Sequence, residues 1–202
     1  MERFEEFKTT ILERAKKECA CKEQYSRALK SDTFEDLMSV IKDNFLWATE
    51  NKIIDPILIN EYKQEFNGNN IWCNENARNG FLLLTGNTTA EATGNTTVRA
   101  YDNATVEAYD NTTVRAYDNT TVEAYGNATV EAYGNTTVEA TGNTTVRAYD
   151  NTTVEAYGNA YIHSYYIIEC KLKDNSIYRL ISENKIFYPE ESAIKIEKQT
   201  NP

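Results

Sequence analysis

From Gly86 onward the chain repeats itself every eight residues, and nothing else in the sequence restricts the fold as much. The units begin at Gly86, Gly94, Asp102, Asp110, Asp118, Gly126, Gly134, Gly142, Asp150 and Gly158, which makes ten. Their consensus is Gly/Asp, Asn, Thr/Ala, Thr, Val, Glu/Arg, Ala, Tyr/Thr. A fixed period this short predicts a β-solenoid. Gly or Asp followed by Asn signals a turn, because these residues tolerate positive φ. The residues after the turn alternate as a strand does. The third, fifth and seventh positions then face inward, and the fourth, sixth and eighth face outward. The inward set is small, so the two walls must lie close together. Turn asparagines such as Asn95, Asn111 and Asn127 are expected to be buried, stacked coil on coil and bonded to the turn backbone.

The charges indicate how many units make one coil. Every second unit gives Glu91, Glu107, Glu123, Glu139 and Glu155, while the other register gives Arg99, Arg115, Glu131 and Arg147. This predicts a 16-residue coil with two sheets, one face acidic and the other mixed. The rival is a three-sided, 24-residue coil, which places Arg115 between Glu91 and Glu139. That arrangement is kinder electrostatically, because like charges in register repel across strands ~4.8 Å apart. Ala and Val, however, are too small to fill a three-sided interior.

The flanks differ in character. Residues 1–80 read as a helical domain. Phe4, Phe7, Ile11, Ala15 and Cys19 recur at helical spacing, and so do Leu37, Met38, Ile41, Phe45 and Leu46. A short helix is expected around Tyr25, Ala28 and Leu29. Thr33 with Asp36 resembles a helix cap, and so does Asp55 before Pro56. Leu58, Tyr62 and Phe66 continue at helical spacing until the NGNN at 67–70. These stripes read as a small helical core, with a peptide-binding groove as the sharper alternative. Residues 81–163 are the solenoid, with FLLL at 81–84 as the entry strand, and residues 164–202 read as a β-meander. The expected fold class is therefore α+β: a short-repeat β-solenoid with a helical cap before it and a β-meander cap after it. Both caps are expected to cover sheet edges that otherwise aggregate.

The net charge is −10. Residues 81–163 alone carry three Arg against four Asp and six Glu. Such a surface repels a phosphate backbone, so direct nucleic-acid binding is disfavoured, and it attracts a basic protein partner. No run of apolar residues is long enough for a membrane helix, and MERFEEFKTT has no signal-peptide core. Cys19, Cys21, Cys73 and Cys170 lack zinc spacing and read as reduced thiols of a cytoplasmic protein. The many Asn-x-Thr triplets are then turn chemistry rather than glycosylation sites.

Enzyme chemistry finds little support. The single histidine, His163, reads as an outward surface residue. No phosphate-binding glycine loop, zinc-protease motif or nucleophile elbow occurs. No catalytic, cofactor-binding or metal-binding residue is expected, and no cofactor. What remains is surface: the glutamate column, one tyrosine ladder at Tyr101, Tyr117, Tyr133 and Tyr149, and another at Tyr109, Tyr125 and Tyr157 that Thr141 interrupts. The candidate partner-binding residues are Glu91, Glu107, Glu123, Glu139, Glu155, Tyr109, Tyr125 and Tyr157, since tyrosine is favoured at interfaces.

The units from Gly86 to Tyr157 resemble the GNATVEAY-like octapeptide repeats of proteins from Bacteroidetes-type bacteria and their phages. The flanking ACKEQYSRALK and VIKDNFLWATENKIID are similar to segments of those proteins. The resemblance implies a solenoid and transfers no active site. The expected function is non-enzymatic binding through a rigid, acidic, tyrosine-rich surface. Its sharper form is a phage or mobile-element inhibitor that mimics nucleic acid and blocks a basic host protein. The alternatives are a structural or assembly role, including a homo-oligomer, display stalk or fibre part, and ice binding through the outward threonines.

Overall fold

The computed structural model describes residues 2–73, 76–78, 81–189 and 194–196. The chain divides into two compact units, Met1–Ile71 and Trp72–Pro202.

The first unit holds helices α1 (Glu2–Lys17), α2 (Lys22–Leu29), α3 (Phe34–Asp43), α4 (Phe45–Glu50), α5 (Pro56–Glu61) and α6 (Lys63–Gly68). The apolar stripe of α1 buries Phe4, Phe7, Ile11 and Ala15. Cys19 does not extend that stripe: it is exposed, and its φ of 55° ends the helix. Thr33 and Asp36 form a reciprocal capping box on α3. Asp55 caps α5 by accepting from Leu58 N–H at 2.8 Å. Leu58, Tyr62 and Phe66 are all buried, but the helix breaks at Tyr62, so they come from two short helices and the residue between them. Leu29 and Leu46 are exposed, because each lies off the buried stripe of its helix. Phe7, Phe34, Tyr62 and Phe66 close the core with ring centroids 4.7–6.1 Å apart.

The second unit is the solenoid. One sheet has nine strands in the order β1 (Ile71–Cys73), β3 (Phe81–Thr85), β5 (Thr97–Ala100), β7 (Thr113–Ala116), β9 (Thr129–Ala132), β11 (Thr145–Ala148), β13 (Tyr161–Ser164), β15 (Ile177–Leu180), β16 (Lys185–Phe187). The other has eight: β17 (Ile194–Ile196), β14 (Glu169–Leu172), β12 (Thr153–Ala156), β10 (Thr137–Ala140), β8 (Thr121–Ala124), β6 (Thr105–Ala108), β4 (Thr89–Ala92), β2 (Asn76–Arg78). Within the repeat each strand pairs in parallel with the strand one 16-residue coil away, so Val98, Val114, Val130 and Val146 align, as do Val106, Val122, Val138 and Val154. Glu91 lies opposite Glu107, not Arg115, which rules out the 24-residue coil. The physical reason is the core. The strand valines and alanines of the repeat, from both sheets, are at most 1% exposed and meet across the narrow interior. Each buried valine contributes about 1.5–3 kcal/mol.

The two corners of each coil are built alike. The first residue of all ten units, and Asp174, has a positive φ. Where that residue is Asp, its carboxylate accepts the backbone N–H of the matching corner one coil earlier. Asp102 bonds Gly86, Asp110 bonds Gly94 and Asp118 bonds Asp102, at 2.9, 3.1 and 3.3 Å. Asp150 and Asp174 bond Gly134 and Gly158 in the same way. The buried third-position threonines donate back to the carbonyl three residues earlier, as Thr112 does to Tyr109 at 2.6 Å. The asparagines depart from expectation. They stack coil on coil, but they are exposed and bond amide to amide at 3.2–3.5 Å, as in Asn111, Asn127, Asn143, Asn159 and Asn175. The buried threonines already satisfy the turn interior, so the asparagines are left at the surface.

The strand meander follows the repeat, and its first two strands keep the coil. β14 pairs with β12 and β15 with β13, both in parallel. β16 and β17 run antiparallel to β15 and β14 respectively, and each ends its sheet. Parallel stacking also starts before residue 81, since β2 aligns with β4.

Candidate functional site: an acidic tyrosine face

The sixth-position glutamates stand on the outer side of the eight-stranded sheet. Alternation fixes this, because the residues on either side are buried: Val and Ala beside Glu107, Glu123, Glu139 and Glu155, and two alanines beside Glu91. Register aligns Glu91, Glu107, Glu123, Glu139 and Glu155 in one row, which ends at Lys171. Glu91 and Glu139 are exposed, and the other three are half-buried. The eighth-position tyrosines follow two residues later on the same face. Tyr109, Tyr125 and Tyr157 donate their hydroxyls to Glu107, Glu123 and Glu155 at 2.8, 2.8 and 2.7 Å. All eight candidate residues therefore lie on one face.

Each hydroxyl–carboxylate bond favours the neutral phenol. The bond to Glu123, with partial burial, pushes Tyr125 up to about 12, and Tyr109 and Tyr157 rise for the same first reason. Glu155 is held below the usual carboxylate range by Tyr157 and then by Lys171, whose ammonium lies at 3.2 Å. The rings of Tyr109 and Tyr125 stack at 5.1 Å with an 11° tilt. Thr141 takes the next place in that column, then Tyr157, then Lys173. The Lys173 ammonium sits 4.5 Å from the centre of the Tyr157 ring.

The nine-stranded sheet carries the opposite sign. Its sixth-position row is Arg99, Arg115, Glu131, Arg147, His163 and Arg179. Glu131 bridges Arg115 at 2.8 Å and Arg147 at 3.5 Å. Tyr101, Tyr117, Tyr133 and Tyr149 form an unbroken stack with centroids 4.6–5.0 Å apart. Burial pushes Tyr133 up to about 12. His163 is half-buried and stacks on Tyr161 at 5.5 Å; burial first, then Arg147 and Arg179, lower its pKa. Sequence reasoning missed both the Glu–Tyr pairing and the strength of this arginine row, which continues to Arg179. The E-x-Y spacing carried the first signal, since residues two apart share a strand face.

The helical unit has an apolar cavity of about 320 Å³ lined by Ile11, Tyr25, Leu37, Ile41 and Trp47 among others. Among the described residues, no three His, Cys, Asp or Glu side chains group as a metal site would, and no helix is long and apolar enough to cross a membrane. No protein-family model, curated protein or solved structure matches the chain.

Proposed function

We propose that this chain is a non-enzymatic binding protein whose acidic, tyrosine-rich face docks a basic protein partner. The observation that carries the reading is the straight row of Glu91, Glu107, Glu123, Glu139 and Glu155, held at coil spacing by the sheet and beside stacked tyrosines. A rigid row of anions presents its charge with little ordering cost, and tyrosine adds contact area cheaply. The sharper form is mimicry: the row stands in for a phosphate backbone and occupies the basic groove of a host protein, an inhibitor carried by a phage or mobile element. Four free thiols suit a reducing, cytoplasmic setting for it.

The test pairs stability with binding. Changing Glu107, Glu123 and Glu139 together to Gln leaves the core untouched. Melting temperature should hold or rise slightly as in-row repulsion falls. Affinity for a lysine-rich octapeptide should drop sharply, and that of the native protein should fall with added salt. In the mimic form, the native chain also displaces duplex DNA from a basic DNA-binding protein and the triple variant does not. Unchanged affinity with intact folding would sink the proposal.

One observation favours a second reading, assembly of copies. The glutamate row and the arginine row share the same coil spacing, so the acidic face of one copy matches the arginine face of another. Sedimentation at low salt separates the two readings, because only assembly makes the mass rise with concentration.

A further inference from the structure

We propose that the break in the tyrosine ladder at Thr141 is a slot for one arginine side chain of the partner, clamped between Tyr125 and Tyr157 and bonded to Glu139. This deepens the acidic-face reading and rests on it.

The geometry follows from the coil. Ladder positions recur once per coil, ~4.8 Å apart. Tyr125 and Tyr157 are two steps apart, with Thr141 between them, as the coil-to-coil bonds from Thr141 N–H to Ala124 and from Tyr157 N–H to Ala140 place them. The short threonine leaves room for one planar group between the rings, at roughly the spacing Tyr109 and Tyr125 already adopt, 5.1 Å. A guanidinium stacks favourably on an aromatic face within ~6 Å of its centre.

The chemistry beside the slot matches. Glu107, Glu123 and Glu155 each accept the hydroxyl of the tyrosine two residues on. Glu139 stands in the same relation to position 141, where threonine cannot reach it. Among the described residues, Glu139 has no hydrogen-bond or ion-pair partner, and it is exposed. An arginine entering the slot presents N–H donors and a full charge to that carboxylate. A phenol from the partner fills the space but not the charge.

The same column already contains the interaction. On the far side of Tyr157 the next ladder residue is Lys173, whose ammonium lies over the ring at 4.5 Å and donates to the hydroxyl at 3.3 Å. A cation in a ladder position, stacked on Tyr157, is thus native to this surface. The slot places a second cation on the other face of that ring. The unbroken ladder of the nine-stranded sheet has no such gap.

The experiment titrates the full chain with the blocked tripeptide acetyl-Gly-Arg-Gly-amide and with its lysine counterpart, followed by proton NMR. Saturable binding is expected, with the arginine side-chain protons shifted upfield by the flanking rings and the lysine peptide several-fold weaker. Thr141→Tyr fills the slot and should weaken arginine binding roughly tenfold, the size of a cation–π contact with its carboxylate bond. Glu139→Gln should weaken it less. Equal binding to native protein and T141Y, equal affinity for the two peptides, or no saturable binding overturns the slot. If T141Y does not fold, Tyr125→Thr removes one wall instead, and unchanged arginine binding by that variant overturns it as well. The lysine-rich octapeptide separates this failure from the broader one: if it still binds and still requires the glutamates, the acidic face stands without the slot.

Discussion

Because its two corners are equivalent, the solenoid is expected to keep its fold when shortened by half a coil, and this shortening divides fold from function. Deleting the sixteen residues Asn111–Gly126 joins Asp110 to Asn127 and removes β7 and β8, one whole coil. Deleting only the eight residues Asn111–Asp118 removes β7 alone. Everything downstream then turns by half a revolution about the solenoid axis and moves as a body. β8 stacks on β5 and β9 on β6. Val meets Val and Ala meets Ala, because the core sequence is the same on both sheets. At the new junction Arg99 faces Glu123, which is favourable, and Glu107 faces Glu131, which is not; each such pair is worth ~0.2–1 kcal/mol, and they nearly cancel. The lost residues cost about 1–2 kcal/mol for the whole coil and roughly half that for the half coil. For a chain of this size that lowers the melting temperature by only ~2–8 °C. The surface changes far more. The whole-coil deletion keeps Glu91, Glu107, Glu139 and Glu155 in one row. The half-coil deletion splits the five-residue row: Glu91 and Glu107 continue into Glu131 on one face, and Glu123, Glu139 and Glu155 move to the other. Circular dichroism melts and lysine-octapeptide titration at low salt should therefore find both variants folded and only the half-coil variant crippled in binding. A half-coil variant that fails to fold would refute the equivalence of the two sheets, and one that binds like the native chain would refute the need for a continuous row.

Three further outcomes follow from the corners, the ladder and the core. Asp118→Ala puts a residue that disfavours positive φ at φ 60° and removes the bond to Asp102 N–H; chemical denaturation should show a loss of about 2 kcal/mol, and Asp118→Gly, which restores the backbone freedom, should recover about half of it. Tyr125 has its folded pKa raised from the ordinary 10 to about 12, so its stabilisation is fully present below pH 10 and is lost as pH rises toward 12; the melting temperature should fall across that window and fall less in Tyr125→Phe. Burial pushes the Cys170 thiol up to about 12, so iodoacetamide at neutral pH should modify exposed Cys19 and Cys21 and spare Cys170 until the protein is unfolded.

Much of this architecture is legible in the sequence because each unit states its own geometry. Gly or Asp before Asn writes the positive-φ corner, and the alternation of Val and Ala writes the inner wall. The small size of those residues decided between coils of sixteen and twenty-four, as the pairing of Glu91 with Glu107 bears out. The caps at Thr33 and Asp55 were readable because helix starts use local chemistry. The last coil was harder to read. Residues 166–181 keep the eight-residue frame, with Asp174, Asn175 and Ser176 in their places, but Cys170, Leu172, Tyr178 and Leu180 replace Val and Ala in the core. Larger core residues hide the repeat from a consensus while obeying the same inward rule. The break at Tyr62 and the exposure of the asparagines were not readable, because packing and competition for turn bonds settle them.

The aspartate corners give the solenoid a direction. Each carboxylate reaches back to the coil before it and never forward: Asp102 to Gly86, Asp110 to Gly94, Asp150 to Gly134. The backbone N–H at such a corner stays without this carboxylate partner until the following coil has been made. Ribosomes deliver the chain from its N-terminus, so each aspartate that emerges latches the turn already laid down. Growth by such latching would be vectorial, as in a ratchet, with stacking order following synthesis order. A circular permutation that began within the repeat would reverse that order only for the corner bonds that span the new termini, and would leave every other aspartate to follow the corner it latches.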